Sequence, residues 1–244
     1  MNDTTVKALC FDVFGTVTDW YSSVTAEGEA LSAELGIDVP WGEFVKKWRI
    51  DGYFAALFKI ATGEMDYIPT EEIHRRKLRL LVQEYGLSDL SDEQFEHFNL
   101  AWSRIKAWPD AAEGLTMMKQ EFMIMPLSNG EYRPMLDIGK RNGLPWDGII
   151  SADFFNSVKP DPAVYQGAAK MLELDPAQIM MVACHAQDLM AARKCGFRTA
   201  YVNRPLEYGP GVSREDKPES FDFEADDFIE LAQMLRSAKA AGEI

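Results

Sequence analysis

The 244-residue chain reads as an α/β protein, a parallel-sheet core with an all-helical cap inserted after its first strand. Three observations predict this. An apolar run dense in β-formers stands near the start, and four more follow only after a long gap. Helical patterns alternate with the later runs, the spacing of parallel βαβ units covered on both faces. The stretch inside the gap shows helices and no convincing strand.

Val6–Phe14, VKALCFDVF, ends at Gly15-Thr16 and reads as a buried first strand. Four helical segments follow, about Ser22–Leu35, Gly42–Ile60, Thr70–Tyr85 and Ser91–Ser103. Gly36 and Gly86 stand where two of them stop, and Ser91 with Gln94 makes a capping box. Phe122–Leu127, Gly148–Ala152, Ile179–Ala183 and Arg198–Val202 read as the later strands, with Arg133–Asn142, Pro162–Leu172 and Leu189–Cys195 as helices between them. Asp161-Pro162 and Asp175-Pro176 each place an N-cap acid before a proline at the first helical position, while Gly143 and Gly196 sit at helix ends. The expected division is a Rossmann-like core of residues 1–17 and 105–244 and a cap of residues 18–104, joined near Asp19 and Trp108-Pro109. A cleft between such a cap and the carboxyl ends of parallel strands is a favoured place for a ligand.

The net charge of −14 disfavours nucleic acid as a partner and leaves an anionic ligand dependent on a locally positive pocket. No apolar run approaches the roughly 18 residues that span a bilayer. Met1 to Lys7 lacks the features of a signal peptide, so no membrane partner and a cytoplasmic location are expected. Cys10, Cys184 and Cys195 are too few and scattered for a disulfide framework or zinc spacing and read as small buried thiols. No cation-rich surroundings mark Cys184 as a catalytic thiol. His74 and His97 lie in polar helical stretches and read as solvated. Tyr53, Phe54, Leu57 and Phe58 fit a cleft-facing stripe and cap packing equally well. Asp216, Asp222, Glu224, Asp226 and Asp227 read as a solvated acidic surface.

Asp12 ends the first strand, Gly15 lets the chain turn sharply, and Thr16 offers a hydroxyl to position an acid or a substrate. Alone, this pattern also fits a simple turn cap. Ser128-Asn129-Gly130 ends the second core strand, Lys159 precedes a helix in SVKPDP, and Asp188 follows the fourth core strand in ACHAQD. Each set falls where a strand ends or a helix begins, so one parallel sheet brings them together.

The ordered set FDVFGT, LSNG, KPDPAVY and Asp188 resembles the four motifs of the haloacid dehalogenase (HAD) superfamily, over about Val6 to Pro205. Most members are Mg²⁺-dependent phosphotransferases with a second Asp two residues after the nucleophile and an acidic cluster in the fourth motif. Here those places hold Phe14, which cannot transfer a proton, and Cys184, a poor ligand for a hard cation. The chain is similar instead to the type II 2-haloacid dehalogenases, which carry an aromatic after the nucleophile and no metal site. Trp48-Arg49 resembles their carboxylate- or halide-facing arginine, and Tyr165 and Val202-Asn203-Arg204 extend the likeness.

This resemblance implies a metal-independent hydrolase with no cofactor, acting on a small anionic 2-haloacid and water; a homodimer is compatible with it. Asp12 would attack C2 from behind the halogen to form an ester, and water would then attack the Asp12 carbonyl carbon. Lys159 would keep Asp12 ionised and Thr16 would position it. Arg49 or Asn129 would bind the departing halide, with Ser128, Tyr165, His185 and Phe14 completing the substrate and halide site. Asp188 would orient Lys159 or activate water. Ala183 and His185 depart from the serine and asparagine these enzymes often carry, and a histidine has a variable charge near neutral pH. The same nucleophile also fits fluoroacetate or a strained-ring amino acid as substrate. A phosphatase and a catalytically silent binding protein are the remaining readings.

Overall fold

The computed structural model describes residues 4–212 and 219–244. The strands are β1 (Ala8–Phe11), β2 (Thr18–Asp19), β3 (Lys106–Ala107), β4 (Met123–Ser128), β5 (Ile150–Ser151), β6 (Ile179–Ala183), β7 (Arg198–Val202) and β8 (Phe223–Ala225). Six of them form one parallel sheet in the order β5-β4-β1-β6-β7-β8. The period-2 alternation of a strand sends Leu9 and Phe11 into one apolar layer and Cys10 into the other, and does the same with Met180 and Val182 against Ile179, Met181 and Ala183. The first layer packs with α6 (Ala111–Lys119), α7 (Tyr132–Arg141) and α10 (Phe228–Ala241), through Leu115, Ile138, Phe228 and Leu235. The second packs with α8 (Pro162–Leu172) and α9 (Ala186–Lys194), through Val164, Ala168, Leu189 and Ala192. Both faces are therefore dry, which is why the central strands are continuous apolar runs.

The chain leaves β1 for β4 on one side and returns to β6 on the other, so a crevice opens at the carboxyl end of β1. The Asp12 backbone N–H donates to the Val182 carbonyl at 3.0 Å, which holds Asp12 on that edge. The first strand stops at Phe11 and not at Phe14. Gly15 takes φ +101°, and both the Thr18 amide and its hydroxyl turn back to the Val13 carbonyl.

Residues 20–103 are helical: α1 (Trp20–Leu35), α2 (Trp41–Lys47), α3 (Ala55–Ala61), α4 (Thr70–Glu84) and α5 (Asp92–Asn99). Trp20, Trp41, Phe44, Trp48, Leu78, Leu81, Phe98 and Trp102 fill their interior. The antiparallel pair of β2 and β3 ties the two connections to the core. The expected single helix Gly42–Ile60 is α2 and α3 joined by a π-helical turn, Trp48–Phe54, which buries Arg49 and Tyr53. Such turns widen the backbone ladder and recur at functional sites.

Other expectations need correction. The run Gly148–Ala152 pairs only at β5, because Ser151 caps a 3₁₀ turn, Ala152–Phe155, by accepting from the Asp153 amide. Asp175-Pro176 opens a three-residue 3₁₀ turn, since β6 begins directly after it. The helices α6 and α10 and the edge strand β8 were not anticipated from the sequence. The acidic stretch near the C-terminus is structural: Asp222 accepts from the Thr199 amide and hydroxyl, Glu224 lies in β8, and Asp227 caps α10 through the Glu230 amide. Asp226 accepts from Asn203, and Asp216 lies outside the described residues. His74 is buried, not solvated, stacked between Tyr53 and Trp102 at 4.8 and 4.5 Å, and burial beside Arg49 drives its pKa well below 6.5. In the aromatic stripe Tyr53 and Leu57 are buried while Phe58 faces solvent. Cys10 and Cys184 are buried, whereas Cys195 is only partly so. Among the described residues no helix is long and apolar enough to cross a membrane.

Candidate active site

The polar segments that follow β1, β4, β5 and β6, neighbours in the sheet, converge around Asp12. Its Oδ1 accepts from Lys159 Nζ at 3.1 Å, and its Oδ2 accepts from the Thr16 hydroxyl at 2.8 Å and faces His185 Nδ1 at 2.9 Å. Asp12 and Lys159 are both buried, so their attraction is little screened. Burial opposes ionisation of Asp12, but Lys159, His185 and Thr16 outweigh it and hold the carboxyl well below the usual carboxylate range. Asp12 is thus an anion at any physiological pH.

Lys159 bridges two acids. Its ammonium also donates to Asp188 Oδ2 at 2.5 Å, and the second Asp188 oxygen accepts from the Tyr165 hydroxyl at 2.6 Å. Burial would lower the lysine pKa; Asp12 and Asp188 raise it instead. Asp188 itself is raised by burial and by the charge of Asp12, despite Lys159. Tyr165 is fully buried behind Asp188, so its hydroxyl serves that carboxylate. Asn129 grips the Lys159 backbone from both ends, accepting from its N–H at 2.7 Å and donating to its carbonyl at 3.3 Å. One amide hydrogen of Asn129 remains beyond that pair. Ser128 Oγ accepts from the Gly130 amide at 3.2 Å and sits in the wall of the turn.

Above the crevice stands Arg49 from the π-helical turn. Its guanidinium lies 4.3 to 5.8 Å from the ring centres of Tyr53, Phe54, Phe14, Trp102 and Trp20, a set that favours a cation through the ring faces. Its Nε and Nη1 are buried without a hydrogen-bond partner. Buried donors of this kind are costly unless something accepts from them. Phe14 therefore floors the arginine cage, where a proton-transferring acid would stand in a phosphatase.

Two further residues complete the site: Arg204, which the sequence offered only as an extension of the family likeness, and Glu207, which was not anticipated. Arg204, after β7, donates through Nε to the Thr16 carbonyl at 2.8 Å and forms a two-pronged pair with Asp110, both contacts 2.8 Å. Asp110 also accepts from the Phe228 amide at 2.8 Å, so this pair fastens the turn after Asp12 to α6 and α10. Glu207, fully buried in the same loop, faces His185 Nε2 through Oε1 at 2.8 Å and accepts from Trp20 Nε1 at 3.3 Å.

The donor set does not suit a hard divalent cation. Phe14 offers no carboxylate, and Cys184 turns its thiol to Glu207 Oε2 at 3.6 Å. Cys184, His185 and Glu207 bring their donor atoms within 4.8 Å of one another, but both imidazole nitrogens already face carboxylates.

A family model described as haloacid dehalogenase-like hydrolase matches residues 6–196. The (S)-2-haloacid dehalogenase 4A of Burkholderia cepacia is 28% identical over 210 residues, covering 83% of this chain and 87% of that protein. The solved structure of the L-2-haloacid dehalogenase PA0810 superposes with a TM-score of 0.90 at 38% identity, covering 95% of this chain and 99% of the other. That of the defluorinating L-2-haloacid dehalogenase Rha0230 also reaches 0.90, at 34% identity, covering 96% of this chain and 98% of the other.

Proposed function

The chain belongs to the haloacid dehalogenase-like hydrolases, and from that premise we propose that it hydrolyses the carbon–halogen bond of a short 2-haloalkanoic acid, with Asp12 as nucleophile and without a metal ion. One observation carries the reading: a buried, ionised Asp12 lies beneath an aromatic-caged Arg49 whose Nε and Nη1 await an acceptor. A carboxylate paired with a buried cation that has two partnerless donors suits an anionic electrophile, and the names of the similar dehalogenases point to the same substrate class.

In this mechanism Asp12 attacks C2 while the halide leaves on the far side, and the product is an ester on Asp12. Oδ1 is the better placed oxygen, because Oδ2 already accepts from Thr16 and faces His185. Lys159 keeps the attacking carboxylate charged, and Asp188 with Tyr165 holds Lys159 in place. Arg49 takes the substrate carboxylate or the halide, and the free amide hydrogen of Asn129 is a second donor. The protein acts in the aqueous interior of a cell on a small substrate, with no nucleic acid or membrane involved, and residues 18–104 act as a cap over a core of residues 1–17 and 105–244.

The test is halide release by EDTA-treated protein from chloroacetate, fluoroacetate and the L- and D-2-chloropropionates. Halide and hydroxy acid are expected in equal amounts, with the L isomer preferred. Activity confined to Mg²⁺-dependent phosphate ester hydrolysis would overturn the reading. Fluoride release is a second outcome to expect, favoured by the 34% identity and 0.90 TM-score to a defluorinating enzyme.

Arg49→Lys is expected to lower kcat/KM for L-2-chloropropionate by about 10- to 100-fold, the worth of roughly 1.5–3 kcal/mol for a hydrogen bond to a charged group. A lysine keeps the charge but loses the planar fork that spans five rings. Wild-type kcat/KM in Arg49→Lys would remove this arginine from the substrate site.

A further inference from the structure

Glu207 stands 22 residues beyond His185 in a loop that no motif marks, yet it is fully buried against the site. We propose that Glu207 is a positioning residue that holds His185 in the tautomer needed to activate water against the Asp12 ester. The inference rests on the dehalogenase reading for the identity of that ester.

The geometry is a line of three groups. Asp12 Oδ2 meets His185 Nδ1 at 2.9 Å, and His185 Nε2 meets Glu207 Oε1 at 2.8 Å. A carboxylate on Nε2 requires a proton there, so a neutral His185 keeps its lone pair on Nδ1, the nitrogen aimed at Asp12. The backbone makes room for this acid: a Cβ on Gly15 would stand 2.2 Å from Glu207 Oε1, and Gly15 sits at φ +101°. The Glu207 amide donates to the Arg204 carbonyl at 3.1 Å, and Arg204 is itself fastened to Thr16 and Asp110. The loop that carries Glu207 is thereby pinned to the turn that carries the nucleophile.

In the resting enzyme His185 is the shared cation of two acids. Burial alone would lower its pKa, but Cys184, Glu207 and the bond to Asp12 raise it well above 6.5. The charged and titratable groups around it are Asp12, Cys184 and Glu207 in contact, Lys159 behind Asp12, and Arg49 and Tyr208 farther off. Forming the ester neutralises Asp12, which removes one of the two anions that held the imidazolium proton. That proton leaves to solvent in step with the halide, and Nδ1 becomes a base while Glu207 keeps Nε2–H.

Hydrolysis then balances around the ring. Water adds to the Asp12 carbonyl carbon as its proton passes to Nδ1. The bond from that carbon to the bridging oxygen, the Asp12 oxygen that attacked C2, breaks, and the Nδ1 proton passes to the departing alkoxide, giving the hydroxy acid with the former Asp12 oxygen as its hydroxyl. The new Asp12 carboxyl returns its proton to His185, restoring the imidazolium and carboxylate pair. One proton and one halide are released per turnover. The charge of Asp12 thus sets whether His185 is an acid partner or a base.

Two measurements test this. The chain has three histidines, so ¹⁵N-histidine NMR follows His185 beside a buried His74 and an exposed His97. Asp12→Asn, which removes the same charge as the ester, is expected to lower the His185 titration by more than one pH unit and leave the Nε2–H form. In Glu207→Gln that tautomer preference is lost. For the kinetics, Glu207→Gln is mixed with L-2-chloropropionate. One halide per site appears at nearly the wild-type rate, then turnover slows at least ~100-fold while the ester is seen by mass on the Asp12 peptide. Glu207→Asp is expected to recover part of the loss, and the kcat profile of Glu207→Gln shifts in pH where a structural defect alone would only scale it. An identical His185 titration in wild type and Asp12→Asn would overturn the proposal, and so would Glu207→Gln turning over as wild type without ester. If Glu207→Gln does not fold, the two titrations still decide. Absence of halide with wild-type protein counts against the dehalogenase reading instead, and the His185 titrations then judge the paired acids independently.

Discussion

Asp12→Asn is expected to release no halide above background, at least ~10⁴-fold below wild type, as befits loss of a nucleophile that acts with its partners as one unit. The amide is nearly isosteric but uncharged, and its oxygen is a far weaker nucleophile than a carboxylate. The fold should survive, because Lys159 keeps its 2.5 Å contact with Asp188. The companion experiment is a single turnover of wild-type protein in ¹⁸O-water. Covalent attack by Asp12 puts the label into the Asp12 carboxyl, and the hydroxy acid leaves unlabelled in that first turnover. Label appearing directly in the product would mean that water attacks C2 and that Asp12 is only a base. Substantial halide release by Asp12→Asn would also remove it from the nucleophile's role.

Lys159→Met is the second large effect, and it acts on activity and stability together. Among the described residues the ammonium is the cation that bridges Asp12 and Asp188, and removing it leaves two buried carboxylates facing each other. One of them must then take a proton near neutral pH. We expect kcat/KM to fall about 10³-fold at pH 7.5, with its acid limb moved up toward neutrality. The sign for stability follows from the shifts in the intact site. Asp12, whose folded pKa is depressed, stabilises the fold above its unfolded value near ~3.9, and that contribution is lost as pH falls through the folded value. Lys159, whose folded pKa is raised, stabilises the fold below ~10.4, and that contribution is lost as pH rises through the folded value. Asp188 has a raised pKa and so opposes the fold when ionised. Wild-type stability from Asp12 and Lys159 is therefore flat between about pH 5 and 10. Lys159→Met should lose roughly 3–5 kcal/mol at pH 7.5, the cost of leaving a buried charge unpaired, and recover part of it at pH 5 as a carboxyl protonates. Urea melts at the two pH values check this; equal losses at both would show that Asp12 and Asp188 do not repel in the way argued.

The strands that carry the site were legible wherever a central strand is buried on both faces. Ile179–Ala183 and Arg198–Val202 are β6 and β7 to the residue: IMMVA is the continuous apolar run that a two-sided parallel strand requires, and RTAYV buries every residue after Arg198. Pro162–Leu172 is α8 at both ends, since Asp161 and Pro162 fix its start. The edge was not legible. In β8, FEA pairs only with β7 and carries an acid, so it lacks the apolar signature of the strands inside the sheet. The expectation for His74 failed for a related reason. Its polar helical neighbours Glu71, Glu72, Arg75 and Arg76 look outward, and only the packing of the cap turns the imidazole inward between two aromatic rings.

Sequence alone determined that Asp12, Ser128, Lys159 and Asp188 share one edge of a sheet, because each falls where a strand ends or a helix begins, and parallel strands align those ends. It also determined what the site lacks at Phe14 and Cys184. Tertiary structure decided who neutralises whom: that Lys159 serves two acids, that Tyr165 answers to Asp188, that Arg49 sits in an aromatic cage, and that His185 lies between Asp12 and Glu207. Charge and hydrogen-bond energies depend on distance and burial, and neither is a function of separation along the chain. Glu207 belongs to no pattern in RPLEYGP; only the fold that carries β7 beside β6, and the missing side chain at Gly15, bring its carboxylate to the histidine.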